Sequence, residues 1–399
     1  MIRSRFALGS TLTLAMAVAT FLPFALGVLA PYILPDLELS RSRFGGLTTV
    51  FYLVGMPFSL VAGTFVDRLG GRRMLLSLFA IGGAAVVVAG VAPGYLVLVA
   101  AAGVGGLATA ASNPVTNQLI SLHVPTGQQG VLVGIKQSGV YAGLVFAGLA
   151  LPTAAQVVGW RAALMATAAA GVVGIVLTAA VIPSTPRSGR HRDGADERAT
   201  LGADIWWLAG LTFLMGATPA VTAVYLPLYA FEQLGLSQGT AGLVAAVSGV
   251  GAVVARIAWA RGAELVGSVR GLLLAMTALT LVALLLLWAA PAVGAWMLWV
   301  GAVVFGASVS AWTAVVYLAL VRDVAHTSAG RATGVVQLAF YGGYAAYPAV
   351  FGVAVDRFGG YTIGWIGLIS VTVISLFLLW TWRPVQVGVR RTTPADVAG

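Results

Sequence analysis

Apolar runs of about twenty residues, punctuated by Gly, Pro and isolated charges, recur from the first residues to about position 382. A run of that length suits an α-helix crossing a hydrocarbon core ~30 Å thick, because a helix satisfies its own backbone N–H and C=O groups there. The breaks define twelve expected spans. Six lie at about 9–33, 43–66, 73–93, 95–122, 130–158 and 161–182; six more lie at about 203–231, 238–262, 269–291, 293–321, 330–356 and 361–382. Several exceed the minimum length, which predicts tilt or kinks, and their Gly and Ala content allows close helix packing. Between the sets, Pro183-Ser184-Thr185-Pro186 opens a polar stretch reaching Thr200, expected as a flexible linker. The pattern predicts an all-α membrane protein of twelve transmembrane helices in two six-helix halves. These are residues 1–182 and 203–382, with a cytoplasmic linker at 183–202 and a cytoplasmic tail at 383–399.

Composition changes the picture by exclusion. Of 399 residues, 59% are apolar and 9% are charged, against roughly 25% charged in an ordinary soluble domain. A pair of soluble domains is ruled out, and the lipid bilayer is the expected solvent. The formal charge of +10 does not point to nucleic acid, because the basic residues sort by topology. With the N-terminus inside, sixteen of the 22 Lys and Arg fall on inside loops and termini. Arg41, Arg43, Arg161 and Arg357 fall outside, and two lie within spans. The positive-inside rule then predicts a multi-pass inner (plasma) membrane protein with both termini cytoplasmic. Arg3 and Arg5 precede an apolar run that continues to about Tyr32 without a convincing cleavage site, so a retained first span is expected. The chain has no Cys, which removes disulfides, thiol catalysis and Cys-bound metal.

An internal repeat supports the two halves. At a spacing of 200 residues, Gly134, Gln137, Tyr141 and Gly143 match Gly334, Gln337, Tyr341 and Gly343, and Gly106 matches Gly306. Leu39-Ser40 corresponds to Leu236-Ser237. Parallel six-helix repeats of this kind are used by alternating-access carriers.

Between the second and third spans the chain reads Gly63-Thr-Phe-Val-Asp67-Arg68-Leu-Gly70-Gly71-Arg72-Arg73. This resembles the loop motif of the major facilitator superfamily, and with twelve spans and the half repeat the resemblance covers essentially the whole chain. It implies that Asp67, with Arg68 and Arg72 beside it, locks the two halves on the cytoplasmic side. The expected partner is Arg331 or the N-terminal dipole of that helix. A solvated loop charge is the alternative for the basic residues. The equivalent loop after span 8, Arg261-Gly262-Ala-Glu264, departs from the motif, and Glu264 is a weaker gate candidate.

Charges inside spans carry the chemical information. All twelve acidic residues lie in loops, tails or near span ends, whereas Lys136, the sole Lys, lies inside span 5 and Arg256 inside span 8. Each is about two turns from the inside end, and a charge there costs several kcal/mol unless it lines a cavity or finds a partner. The resemblance implies that spans 5 and 8 face each other. Two cations without a carboxylate repel, and an anionic substrate bridging the halves would neutralise them. Snorkelling to the headgroups is the competing reading. Gln137, Gln337, Asn113 and Asn117 are candidate substrate donors or helix–helix contacts, and Trp259 and Tyr341 are candidate walls. His123, His191 and His326 all fall in loops, and no nucleophile–base pair or metal cluster is expected, so neither enzyme activity nor a cofactor is implied.

The buried Arg256 is similar to that of the oxalate/formate antiporter–monocarboxylate porter branch. The Gly134-Ile-Lys136-Gln137-Ser-Gly139 run resembles cyanate-transporter relatives. This chain departs from the first branch in having its second cation in span 5 rather than span 11. The expected function is a monomeric secondary transporter of a small anion, a monocarboxylate or a cyanate-like species. Rocker-switch alternating access would proceed by anion antiport or proton symport. The rivals are an exporter of amphipathic drugs and a non-transporting membrane sensor.

Overall fold

The computed structural model describes residues 5–183, 202–265, 269–309, 312, 315–316 and 329–382. Most of the expected linker and all of the expected tail lie outside them. Among the described residues the chain is helical: α1 Arg5–Asp36, α2 Arg41–Leu69, α3 Gly71–Gly90, α4 Tyr95–His123, α5 Thr126–Ala166 and α6 Ala169–Val181. The second set comprises α7 Ala203–Glu232, α8 Gln238–Leu265, α9 Val269–Val293, α10 Ala295–Val309, α11 Ala329–Phe358 and α12 Thr362–Thr381. Ten stretches among the described residues are long and apolar enough to cross a membrane, and α10 is a shorter apolar helix. One of the ten, 128–181, contains two expected spans. It breaks at Gly159, whose φ of 80° is open to glycine and strained for other residues. That break falls between the spans expected at 130–158 and 161–182.

The two sets pack by one scheme. In the first, α5 lies on α1, and α4 lies on α2 and α3; in the second, α11 lies on α7, and α10 lies on α8 and α9. The repeat glycines explain the match. A Cβ at Gly106 would collide with the Phe51 carbonyl of α2, and one at Gly306 with the Ser248 carbonyl of α8. Close backbone approach at equivalent crossings is the use these helices make of small residues.

Between the sets, α2 packs on α11, α5 on α8, and α1 on α7. One end of this seam is sealed, the end carrying the α1–α2, α7–α8 and α11–α12 connections. Arg41 Nε and Nη2 donate to Glu232 at 3.1 and 2.9 Å. Asp356 caps the start of α2 from the opposite set, accepting the backbone N–H of Arg41 at 3.1 Å and of Ser42 at 2.8 Å. Those amides have no partner within their own helix, and a carboxylate there meets the positive end of the helix dipole. The Tyr225 hydroxyl lies 2.7 Å from the Arg41 carbonyl and 3.0 Å from that of Pro348. Tyr361 donates to Glu232 at 2.6 Å. Burial, and then the Glu232 carboxylate, raises the Tyr361 phenol well above its ordinary range, so it keeps the proton it donates.

Toward the opposite end the seam loosens. On α2, Leu60, Val61 and Phe65 are exposed. A Cβ at Gly63 of α2 or at Gly334 of α11 would meet nothing within 4 Å.

Candidate functional site

The centre of the site starts on α4. Asn113, Thr116 and Asn117 are three and four residues apart, which stacks them on one helix face. Lys136 of α5 points at that face. Its Nζ lies 2.6 Å from Thr116 Oγ1, 2.7 Å from Asn117 Oδ1 and 3.4 Å from Asn113 Oδ1, and the residue has 0% exposure. Thr116 donates its own hydrogen to the Ser112 carbonyl at 2.6 Å, which leaves its lone pairs for the ammonium. An ammonium has three hydrogens, and three neutral oxygens receive them. These oxygens replace water but carry no charge. Among the described residues no carboxylate contacts Lys136, so its ammonium form has no counter-charge in these low-dielectric surroundings.

The second cation arrives from the other set of helices. Arg256 of α8 donates from Nη1 to the Gln137 carbonyl at 2.9 Å. Its guanidinium carbon sits 5.4 Å from the centre of the Tyr141 ring, a cation–π geometry. Gln137 and Tyr141 are one turn apart, so a single face of α5 receives the guanidinium twice. The Gln137 side chain donates to Asn113 Oδ1 at 2.9 Å. Asn113 therefore links the Lys136 cage to the residue that anchors Arg256. Snorkelling does not describe Lys136, whose ammonium is turned inward onto α4.

An aromatic wall completes the site. Tyr344 of α11 lies among Tyr52, Tyr141 and Arg256. Its ring is 4.7 Å from that of Tyr52 and 4.4 Å from that of Phe340. Tyr341 pairs with Tyr52 at 5.7 Å, and Trp312 pairs with Phe340 at 6.2 Å. Gln337 lies against the Tyr341 phenol.

Of the residues expected from sequence, Lys136, Gln137, Asn113, Asn117 and Arg256 form one hydrogen-bonded chain. Tyr341 and Gln337 stand on its aromatic side. Trp259 does not join it: its Nε1 donates to the Ala307 carbonyl of α10 at 2.7 Å. Asp67 accepts from Gln118 Nε2 at 2.9 Å, and Arg72 Nη2 donates to the Ala179 carbonyl at 3.1 Å, both contacts within the first set of helices. Arg68, in the last turn of α2, is exposed. The side chains of Arg331 and Glu264 lie outside the described residues.

Sequence reasoning left Thr116, Tyr52, Tyr141 and Tyr344 outside the candidate set. Thr116 had a signal, its position one turn from Asn113. Tyr52 had none, since Tyr341 and Tyr344, its partners in the wall, lie almost three hundred residues away.

A parallel-repeat helical bundle with buried charge at the seam defines a class, the membrane-spanning secondary carriers. The profile of the Major Facilitator Superfamily matches residues 12–348 and 208–395, and the chain belongs to that family. Among curated relatives, an MFS-type transporter of Mycobacterium tuberculosis, described as uncharacterized, is 26% identical over 263 residues. That match covers 64% of this chain and 58% of the relative, so the aligned chain spans less than two thirds of the relative's length. The "Probable sulfoacetate transporter SauU" of Cupriavidus necator is 24% identical over 373 residues, covering 85% of this chain and 84% of its own. Among solved structures, a mutant of the nucleoside transporter NupG superposes with a TM-score of 0.78 at 13% identity, covering 94% of this chain and 99% of that one. A bacterial homolog of the human lysosomal transporter Spinster, inward-facing and unoccupied, superposes with a TM-score of 0.71 at 17% identity, covering 94% and 97%. Both structures share the fold.

Proposed function

We propose that this protein is a secondary transporter of a small organic anion, a monocarboxylate or cyanate-like species, that works by alternating access between two halves at 1–182 and 203–382. The observation that carries the reading is the buried Lys136 and the half-buried Arg256, each held among the described residues by neutral groups. Lys136 rests on amide and hydroxyl oxygens, and Arg256 on a carbonyl and a ring face. An entering carboxylate supplies the missing negative charge and meets a planar guanidinium suited to it. Arg256 reaches across the seam, so an anion there touches both halves and its charge governs how readily they rock. The Cupriavidus necator relative, described as a probable transporter of sulfoacetate, an organic anion, agrees with this class.

In the proposed topology both termini are cytoplasmic in the inner membrane, and the sealed end faces outward. The form described here is then open to the cytoplasm. Closing that side would bring Asp67 toward the start of α11. Coupling is by anion exchange or proton symport, and the monomer is the working unit.

The aromatic wall of Tyr52, Tyr344 and Phe340 favours a second reading, an exporter of amphipathic compounds. A thermal-shift screen separates the two. The purified protein is heated with formate, acetate, oxalate, cyanate, sulfoacetate and an apolar cation, then the screen is repeated with Lys136→Gln and Arg256→Gln. Stabilisation rises with occupancy as RT ln(1 + [L]/Kd). The anion reading expects an anion to raise Tm in the wild type and both substitutions to remove the gain. A gain that survives both, or one given by the apolar cation alone, overturns it. Counterflow in proteoliposomes, with and without a pH gradient, then tests transport and coupling.

A further inference from the structure

A second concavity lies away from the transport seam. It is a cavity of about 940 Å³ between α5 and α6, floored by α1 and α3. Its walls are apolar and include the buried Phe21 and Val86. Arg5 and Gln128 stand at the other end, where the Arg5 guanidinium donates to the Gln128 side chain. Arg5 makes no ion pair among the described residues. Along the rim Val131, Ile135 and Phe146 are exposed, so in a bilayer the crevice opens sideways into hydrocarbon rather than into water.

At the α7–α11 crossing of the second set of helices, the Phe213 ring covers the open face of Gly342 and lies tilted 5.6 Å from the Tyr347 ring. At the α1–α5 crossing, Thr13, Ala142 and Gly143 line the space instead. Small residues leave open at the α1–α5 crossing the kind of space that Phe213 occupies at the α7–α11 crossing.

We infer that this crevice is a binding site for one anionic phospholipid of the surrounding bilayer. An acyl chain lies against α1 and α5, and the phosphate sits at Arg5. The dimensions suit a chain. From Arg5 to Phe21, α1 rises ~24 Å, most of the ~30 Å hydrocarbon thickness. Its one cation stands at the membrane surface, where an Arg with only a neutral partner can receive a phosphate. The bilayer supplies the apolar occupant without competition from water.

The test uses the full chain in nanodiscs, with phosphatidylglycerol and phosphatidylcholine of identical chains as probes and native mass spectrometry to count retained lipids. The wild type is expected to keep one phosphatidylglycerol in preference. Arg5→Gln should reduce that preference about fivefold, the effect of roughly one basic residue at a membrane surface. Ala142→Trp places an indole in the crevice from an exposed position and should expel both lipids. Phosphatidylglycerol with a diazirine midway along one chain should label peptides of α1, α5 and α6 in the wild type, which decides the matter whether or not either variant folds. Equal retention of the two lipids, retention unchanged by both substitutions, or label spread evenly over both halves overturns the proposal.

Discussion

The α2–α11 seam is tight at one end and slack at the other, and the two ends use different chemistry. At the tight end, residues from opposite halves share hydrogen bonds: Asp356 with the amides that open α2, Tyr225 with the Arg41 carbonyl, and Thr49 with the Ala345 carbonyl at 2.5 Å. At the slack end the motif residues Asp67 and Arg72 bond within their own half, and α2 shows exposed Leu60 and Phe65. Closure at the tight end is built from the Arg41–Glu232 ion pair, the Asp356 cap on backbone amides and short polar bridges between helices. Among the described residues, Asp67 and Arg72 at the other end make no contact across the seam, which leaves them free for the gate role proposed above.

This contrast can be broken at several points. Arg256 sits on the seam between the two ends, and its loss should have the largest effect. Removing a charge-assisted contact costs ~1.5–3 kcal/mol, so Arg256→Gln should weaken anion binding roughly ten- to a hundredfold by thermal shift. An unchanged affinity would place the anion elsewhere.

Gly45 comes next. No Cβ fits there against the Tyr225 hydroxyl and the Pro348 carbonyl, so Gly45→Leu should wedge the tight end apart by ~1–3 kcal/mol. The absence of Cys makes a reporter simple: a thiol introduced by Ala345→Cys, at a buried position, should react about tenfold faster in that background. Glu232→Gln removes the charge facing Arg41 but keeps a hydrogen-bonding shape. The Arg41 side chain is 39% exposed, and exposed pairs contribute ~1 kcal/mol or less, so labelling should rise only a few-fold. Asp67→Asn gives the smallest change in this assay, within ~0.5 kcal/mol, while still slowing transport if Asp67 locks the other state. A large rise in labelling from Asp67→Asn would contradict the assignment of the two ends.

Much of the fold could be read before any coordinates. Helix boundaries followed the apolar runs, and the Gly106–Gly306 repeat marked equivalent crossings because both need a residue without a side chain. Lys136 and Arg256 were conspicuous because a charge inside an apolar run is rare. Their surroundings were harder. The α4 cage follows from helical spacing once Lys136 is known to face α4, and no local signal says which face it takes. The sealed end was not visible at all. Arg41, Glu232 and Asp356 look like ordinary loop charges, and only the packing of α2 against α7 and α11 brings them together.

The cap that Asp356 places on α2 has a consequence for how turnover might be watched. Its two bonds go to main-chain amides, so no replacement at Arg41 or Ser42 short of proline deletes those donors. In the proposed cycle, opening of the sealed end hands both N–H groups to incoming solvent, and closure takes them back. Deuterium uptake at positions 41 and 42 should therefore keep time with the cycle, slow while the rim is shut and accelerating whenever a ligand drives the halves apart.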